Sequence, residues 1–498
     1  MRRTLPVVVA AACAAPLALA AGAAGPAPSR TSDWSQPNGD LGATRASSST
    51  AISSRTVGGL AVRWRFPLRG AGGGFGLVTS TPVVVGDTVY LQDSKSSVLA
   101  LDRRTGRLRW ARVYTAPNDG PNGVAVAAGS VFAATDTTAF ALNARTGRRR
   151  WSTRLARRQE QFVDIAPIVQ DGLVYLSTIG YPPGGRGKLY ALEAQTGRVR
   201  WSFQTIRDPW RHPGAGGGGA WYPLSVQGGR IYAGISNPGP WGGTRTRPNG
   251  GLFSGSSLYA DSLVVLDAQT GALIWSSQVT RHDVRDYDFE ASPVLARLRV
   301  AGTSTNVVYG AGKGGRVVAW DRATRARIWA RPVGTHLHDL GPLPPRSTLV
   351  CPGLFGGVLT PMAYAAGRLF VPVVDLCMRE SAVTSASVLQ RPAERGKGIL
   401  YALDGAGGKT LWSRRFASPL FGCATVARDV VFTPTYDGRV FGLSVRDGST
   451  LWSTRLRAGI NSCPAVAGDE LVLAAGAPHT GFAHPVAEIV AYGLPARR

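Results

Sequence analysis

Lysine is nearly missing from this 498-residue chain, which has five lysines beside 51 arginines. Acid is scarce as well: 30 Asp and Glu stand against 56 basic residues, for a formal net charge of +26. The arginines fall mostly in repeated polar turns such as Arg103-Arg104-Thr105-Gly106-Arg107. No basic run is interleaved with aromatics, which argues against a nucleic-acid groove and for a solvated surface attractive to anionic polymers. No stretch carries a long amphipathic helical period, and beyond the N-terminus none has the apolar length of a transmembrane helix. Cys-x-x-Cys-His does not occur, so covalently attached haem is excluded.

What is present begins with an export signal. Met1-Arg2-Arg3, the apolar run from Val7 to Ala20 and the small residues up to Ala23 predict a signal peptide over residues 1–24. Arg2-Arg3 also suits a twin-arginine route, and Ala10-Ala11-Ala12-Cys13 is a weak lipobox that would tether the chain. Residues 25–55, rich in Ser, Thr, Ala and Pro, predict an extended arm, and 56–498 a single domain. Four further cysteines, an even number in an exported chain, predict two disulfides.

A repeat organises that domain. Ala100-Leu101-Asp102-Arg103-Arg104-Thr105-Gly106-Arg107-Leu108-Arg109-Trp110 returns, in outline, ahead of Trp151, Trp201, Trp275, Trp329, Trp412 and Trp452. Such periodicity marks a solenoid or propeller. Each unit reads as four short strands, with the turn glycine supplying positive φ and a small residue opposite making room for a neighbouring unit's indole. Trp64 has no preceding hairpin, and Glu488–Leu494 has no following strand. The two ends therefore predict one shared blade, giving an all-β, eight-bladed β-propeller of four-stranded antiparallel blades closed by its N- and C-terminal strands. Cys423 and Cys463 open the first strands of successive units, so they are expected to pair. The two long intervals, 201–275 and 329–412, place extra loops on one face.

Near the first of these insertions lies His282-Asp283-Val284-Arg285-Asp286-Tyr287-Asp288, three carboxylates in six residues. Ser236-Asn237-Pro238-Gly239-Pro240-Trp241 precedes it and Gly312-Lys313-Gly314-Gly315 follows. Carboxylates with an amide oxygen suit a hard cation, and a lysine suits an electron-rich oxygen. Asp-Tyr-Asp is equally ordinary turn chemistry between strands.

In order and spacing these segments, with Gly217-Gly218-Gly219-Ala220-Trp221, resemble the quinoprotein alcohol dehydrogenases, propellers that bind pyrroloquinoline quinone and a calcium or lanthanide ion. The resemblance implies that Trp221 is the floor on which the quinone stacks, and that Lys313 and Arg186 belong to the cofactor site. It implies Asn237, Asp286 and Asp288 as metal ligands, with Asp286 also the catalytic base. It further implies a Cys351–Cys377 disulfide across the long loop. On this footing the chain is expected to be an exported dehydrogenase that oxidises an alcohol, polyol or poly(vinyl alcohol)-like substrate, and that passes electrons to an external acceptor.

The chain also departs from the family. No carboxylate stands shortly before Gly185-Arg186-Gly187, where a metal-binding Glu is expected. Asn122 replaces an anchoring Arg, Asp164 a cofactor-binding Thr, and Arg285 a Trp, while the vicinal cysteine pair is missing. Arg285 could pair with Asp286 in a purely structural role. These departures support an alternative: a non-catalytic propeller acting as an envelope scaffold or polymer-binding module.

Overall fold

The computed structural model describes residues 33–70, 72–118, 120–181, 184–207, 214–250, 257–383 and 393–495. The expected signal peptide and the first part of the arm lie outside the described residues. Each repeat folds as four antiparallel strands because its turn is chemically complete. In the first unit Asp102 Oδ1 accepts from the Thr105 N–H at 2.9 Å and from its hydroxyl at 2.8 Å. Gly106, at φ +69°, donates to the Asp102 carbonyl at 2.8 Å. This hairpin sets Ala100 opposite Trp110, with a bulge one residue on.

Seven blades form in this way: blade 1 (83–112), blade 2 (125–154), blade 3 (168–204), blade 4 (225–278), blade 5 (294–332), blade 6 (363–416) and blade 7 (425–455). Blade 8 joins three C-terminal strands of 465–493 to Ala61–Pro67, with Trp64 opposite Ala491. The all-β, eight-bladed propeller closed by its two ends is thus the observed fold. The inner strands are buried almost throughout, as expected of sheets covered on both faces.

Indoles join the blades. Trp64 Nε1 donates to the Arg103 carbonyl in the turn of blade 1 at 2.7 Å. Trp110, Trp151, Trp201, Trp329 and Trp412 each reach a carbonyl of the next blade's turn at 2.9–3.1 Å. The room for each indole lies at the next turn's glycine: a Cβ on Gly147 would sit 2.6 Å from Trp110, and one on Gly197 2.5 Å from Trp151. That residue is therefore glycine for two reasons, its backbone angle and the ring above it. The blade 4–5 junction breaks the rule. There the turn carries Arg325 at φ +66°, and Trp275 Nε1 is buried without a partner.

The described part of the arm follows the inner edges of the blades. Trp34 exchanges two hydrogen bonds with Val84 of blade 1 at 2.8 and 3.0 Å. The backbone N–H groups of Val126, Val226, Leu295, Tyr364 and Val426, one on each of blades 2, 4, 5, 6 and 7, donate to Ser35, Leu41, Gly42, Thr44 and Arg45 at 2.8–3.1 Å. Gln36 serves blade 3 through its side chain, at Val169. Ala46–Ser47 then pairs in parallel with blade 7, and Ala51 donates to Gly468 of blade 8 at 3.3 Å. One segment thus satisfies inner-edge groups all round the ring, where unpaired N–H groups would be costly. Arg45 is its fully buried hub, donating to the carbonyls of Pro37, Ala424 and Pro464, to Asn38 and to Thr425.

Both expected disulfides form. Cys351–Cys377 spans the long loop with Cα atoms 4.4 Å apart, and Cys423–Cys463 ties blade 7 to blade 8 at 4.8 Å. Among the described residues no helix is long and apolar enough to cross a membrane.

Candidate active site

The loop after blade 4 is bent by one carboxylate. Asp283 Oδ1 accepts from the Arg285 N–H at 2.8 Å and Oδ2 from the Tyr287 N–H at 2.6 Å. Held this way, Asp286 adopts φ +62°, a left-handed geometry that costs a non-glycine residue of order 1–3 kcal/mol. Tyr287 secures the far side by donating its hydroxyl to the Pro352 carbonyl at 2.7 Å. Asp283 is therefore the turn-former of the run, leaving Asp286 and Asp288 to face inward.

Three segments meet at those two carboxylates. Asn237 Nδ2 donates to Asp286 Oδ1 at 2.7 Å, and its backbone N–H donates to Asp288 Oδ1 at 2.8 Å. Lys313 Nζ lies 2.7 Å from Asp286 Oδ2 and 2.5 Å from Asp288 Oδ2. The lysine gets this close because its neighbour is glycine: a Cβ on Gly312 would lie 1.9 Å from the Asp288 carbonyl oxygen. The structure thus brings together Asn237, Asp286, Asp288 and Lys313 from separate stretches of the chain.

Arg285 does not pair with Asp286. Buried, it donates to the carbonyls of His338 and Gly341 at 2.8–3.2 Å and so pins the 338–341 loop. Trp221 is half-buried, 5.6 Å from Phe162 with the rings tilted by 56°, and its Nε1 has no hydrogen-bond partner. Arg186 is also half-buried and bridges to Gly217, on the segment that leads to Trp221. Tyr222, beside Trp221, senses the charges of Glu290 and Lys313.

Burial dominates the electrostatics. It pushes the Asp286 carboxyl up to about 6, with Asp288 adding to the effect and Lys313 and Asn237 opposing it. Asp283 rises to about 7, again through burial. Two acids that the sequence reading passed over, Asp261 and Glu290, are also buried here and held well above the usual carboxylate range by loss of solvent. Burial works against the Lys313 ammonium, but Asp286, Asp288 and Glu290 outweigh it and keep it charged. Neither acid stands in a run of unusual composition: Asp261 immediately precedes the strand Ser262–Asp267, and Glu290 follows a buried Phe.

On the cation side two carboxylates, of the kind a hard ion takes, converge on a point held by Lys313 Nζ, while the Asn237 amide faces Asp286 through its Nδ2; among the described residues no group of three acidic, imidazole or thiol side chains surrounds one point. The positions that would anchor acid groups of a quinone are taken. Asn122 Nδ2 donates to the Asp93 carbonyl at 2.8 Å, and Asp164 Oδ1 accepts from Gly120 at 2.8 Å. A cavity of about 430 Å³ opens behind the loop, against Val279, His282, Arg285, Phe289 and Leu340, and none of Asn237, Asp286, Asp288, Lys313 and Trp221 lines it.

Residues 34–336, well over half of the chain, match the family "Glucose/ethanol/alcohol dehydrogenase, beta-propeller domain". Residues 382–482 match "Outer membrane protein assembly factor BamB". The quinohemoprotein alcohol dehydrogenase of Comamonas testosteroni is 28% identical over 486 residues, covering 82% of this chain and 67% of its own length. The quinoprotein alcohol dehydrogenase PedH of Pseudomonas putida is 25% identical, covering 72% of this chain and 71% of its own length. Against the quinohemoprotein alcohol dehydrogenase ADH-IIG of Pseudomonas putida, at 28% identity, the match covers 56% of this chain and 43% of the relative. The solved structure of ADH-IIG aligns with a TM-score of 0.81 at 23% identity, over 94% of this chain and 81% of that one. BamB from Moraxella catarrhalis aligns at 0.53 and 13% identity, over 88% of this chain and 99% of that one. Carrying eight blades and the family's match across five of them, this chain belongs to the glucose/ethanol/alcohol dehydrogenase β-propeller family.

Proposed function

We propose that this chain is an exported quinoprotein-type dehydrogenase that oxidises an alcohol, polyol or poly(vinyl alcohol)-like substrate, with Asp286 as the base. The observation that carries this reading is the meeting of Asp286, Asp288, Asn237 and Lys313 within hydrogen-bond distance. When bound, pyrroloquinoline quinone would supply the two-electron sink and a calcium or lanthanide ion the Lewis acid. Asn237, Asp286 and Asp288 would hold the ion, while Trp221, Lys313 and Arg186 would hold the quinone. Asp286 has what a base needs. Its raised proton affinity leaves it ionised at neutral pH yet basic enough to take a hydroxyl proton. Asn237 fixes one of its oxygens, so little reorientation is required during the transfer. Lys313 keeps its charge in the buried site and would stabilise negative charge on a nearby oxygen. An external acceptor would then take up the electrons, and the two disulfides fit an oxidising, extracytoplasmic setting.

A second reading has its own support. The committed side chains of Asn122 and Asp164, with the BamB match over 382–482, favour a propeller that has given up the cofactor and serves as a scaffold or polymer-binding module. Reconstitution separates the two. Purified protein incubated with pyrroloquinoline quinone and either calcium or a lanthanide is expected to take up one quinone per chain and reduce a dye with an alcohol. Failure to take up quinone with either ion would overturn the dehydrogenase reading.

A further inference from the structure

Arg285 stands where the resemblance expects a Trp, and the fold buries its charge without a counter-ion. It is 4% exposed, and its guanidinium donates only to main-chain carbonyls: His338 at 2.9 and 3.2 Å, Gly341 at 2.8 Å and Leu340 at 3.5 Å. Among the described residues no carboxylate forms an ion pair with it. Glu380 senses its charge, but neither Glu380 oxygen has a hydrogen-bond partner, and burial pushes that carboxyl up to about 7. A buried cation without an anion beside it is costly. The guanidinium also has more N–H donors than these carbonyls use.

That side chain lines the cavity of about 430 Å³ behind the loop, a volume in the range of small-molecule sites. Val279, Val284, Phe289 and Pro342 make much of the wall apolar. Leu340 also lines it and is 72% exposed, an aliphatic side chain left to solvent. A second guanidinium, that of Arg281, lines the cavity from an exposed position and has no side-chain partner among the described residues. The other charged groups on the wall are engaged. Asp283 accepts from the Arg285 and Tyr287 N–H groups through its two oxygens, and Asp339 meets Arg316 at 2.6 Å and His336 at 2.7 Å. His282 Nε2 lies 3.0 Å from the Asn249 carbonyl oxygen. Three guanidinium groups thus face two carboxyls, one of them already neutralised by Arg316.

We propose that this cavity binds a small organic acid, its carboxylate received by Arg285 and Arg281 and its aliphatic or aromatic body by the apolar wall. A planar carboxylate matches the guanidinium fork, while the apolar lining disfavours a strongly hydrated inorganic anion. The site is separate from the Asp286 cluster, and it does not depend on whether the chain takes up quinone.

The test uses the full chain, free of metal and quinone, at about 0.15 M salt, which screens loose attraction to surface arginines. Isothermal titration calorimetry is run with benzoate, with its neutral counterpart benzamide and with sulfate. Benzoate is expected to bind one per chain, about tenfold tighter than either of the others. Arg281→Gln, which removes an exposed side chain that holds nothing else, should weaken benzoate about tenfold, the worth of one charge-assisted hydrogen bond. Arg285→Gln should abolish binding. Because Arg285 also pins the 338–341 loop, Leu340→Asp serves as the second variant: it puts a like charge on the wall at an exposed position and should weaken benzoate comparably. Benzoate binding within twofold of the parent in either Arg281→Gln or Leu340→Asp overturns the site. Benzamide binding as tightly as benzoate overturns recognition of the charge, and sulfate binding as tightly overturns the organic acid as ligand. No saturable binding of benzoate overturns the proposal outright.

Discussion

At the scale of single residues, the site is a balance of buried charges with Lys313 as its fulcrum. Lys313→Ala would leave Asp286 and Asp288 facing each other without a counter-ion. It is expected to cost about 3–5 kcal/mol, measured by denaturant unfolding, as when one partner of a buried ion pair is removed. Adding Asp288→Asn to that variant should restore part of the loss. Asp286→Asn should leave the fold intact and lower turnover of the reconstituted enzyme about 10²–10⁴-fold, the usual contribution of a positioned base. The four residues that meet here were legible in the sequence because they fall in short runs of unusual composition at spacings a known family shares. Asp261 and Glu290 were not, since a lone acid acquires its meaning only when folding brings residues 236, 261 and 313 together. The role of Arg285 was hidden for the same reason, its carbonyl partners lying more than fifty residues downstream.

At the scale of the blade, the recurring unit is a turn, a glycine and an indole reaching across from the previous blade. Trp201→Ala would remove both the ring and its hydrogen bond to Ala268, and is expected to cost about 3–5 kcal/mol in an unfolding titration. The blade 4–5 junction offers the opposite experiment. Arg325→Gly should relieve the left-handed strain and stabilise the protein by about 1 kcal/mol, read as a higher melting temperature. Blade 8 is closed partly by ion pairs: Glu488, fully buried, meets Arg65 at 2.7 Å and Arg457 at 2.5 Å. Burial alone would raise the Glu488 carboxyl, but its bonds to Arg457 and Arg65 outweigh that and hold it below its ordinary value. A depressed carboxyl contributes stability that is present above its unfolded value and lost as pH falls through the folded one. Melting temperature should therefore drop on acidification below about pH 4.5. Glu488→Gln should flatten that part of the profile. The blades could be read in advance because Trp and Thr-Gly recur at fixed offsets. That the room for each indole lies at the next unit's turn glycine needed the ring to be assembled.

At the scale of the whole molecule, the ring of eight sheets is tied along its inner edges by the arm, which touches every blade and anchors at Arg45. Nothing in its Ser, Thr and Pro-rich sequence signals this, because an extended segment that binds the blades mainly through its backbone has no period of its own. Arg45→Ala should loosen the whole segment. Hydrogen exchange at the amides of Val84, Val126, Val226, Leu295, Tyr364 and Val426 is expected to speed up together, since those groups share one covering strand. This arrangement also has a consequence for how the molecule is made. Synthesis delivers residues 34–47 before any blade, yet the groups they bind extend to Val426 and Pro464. That stretch must therefore stay unseated until the blades as far as residue 464 have emerged.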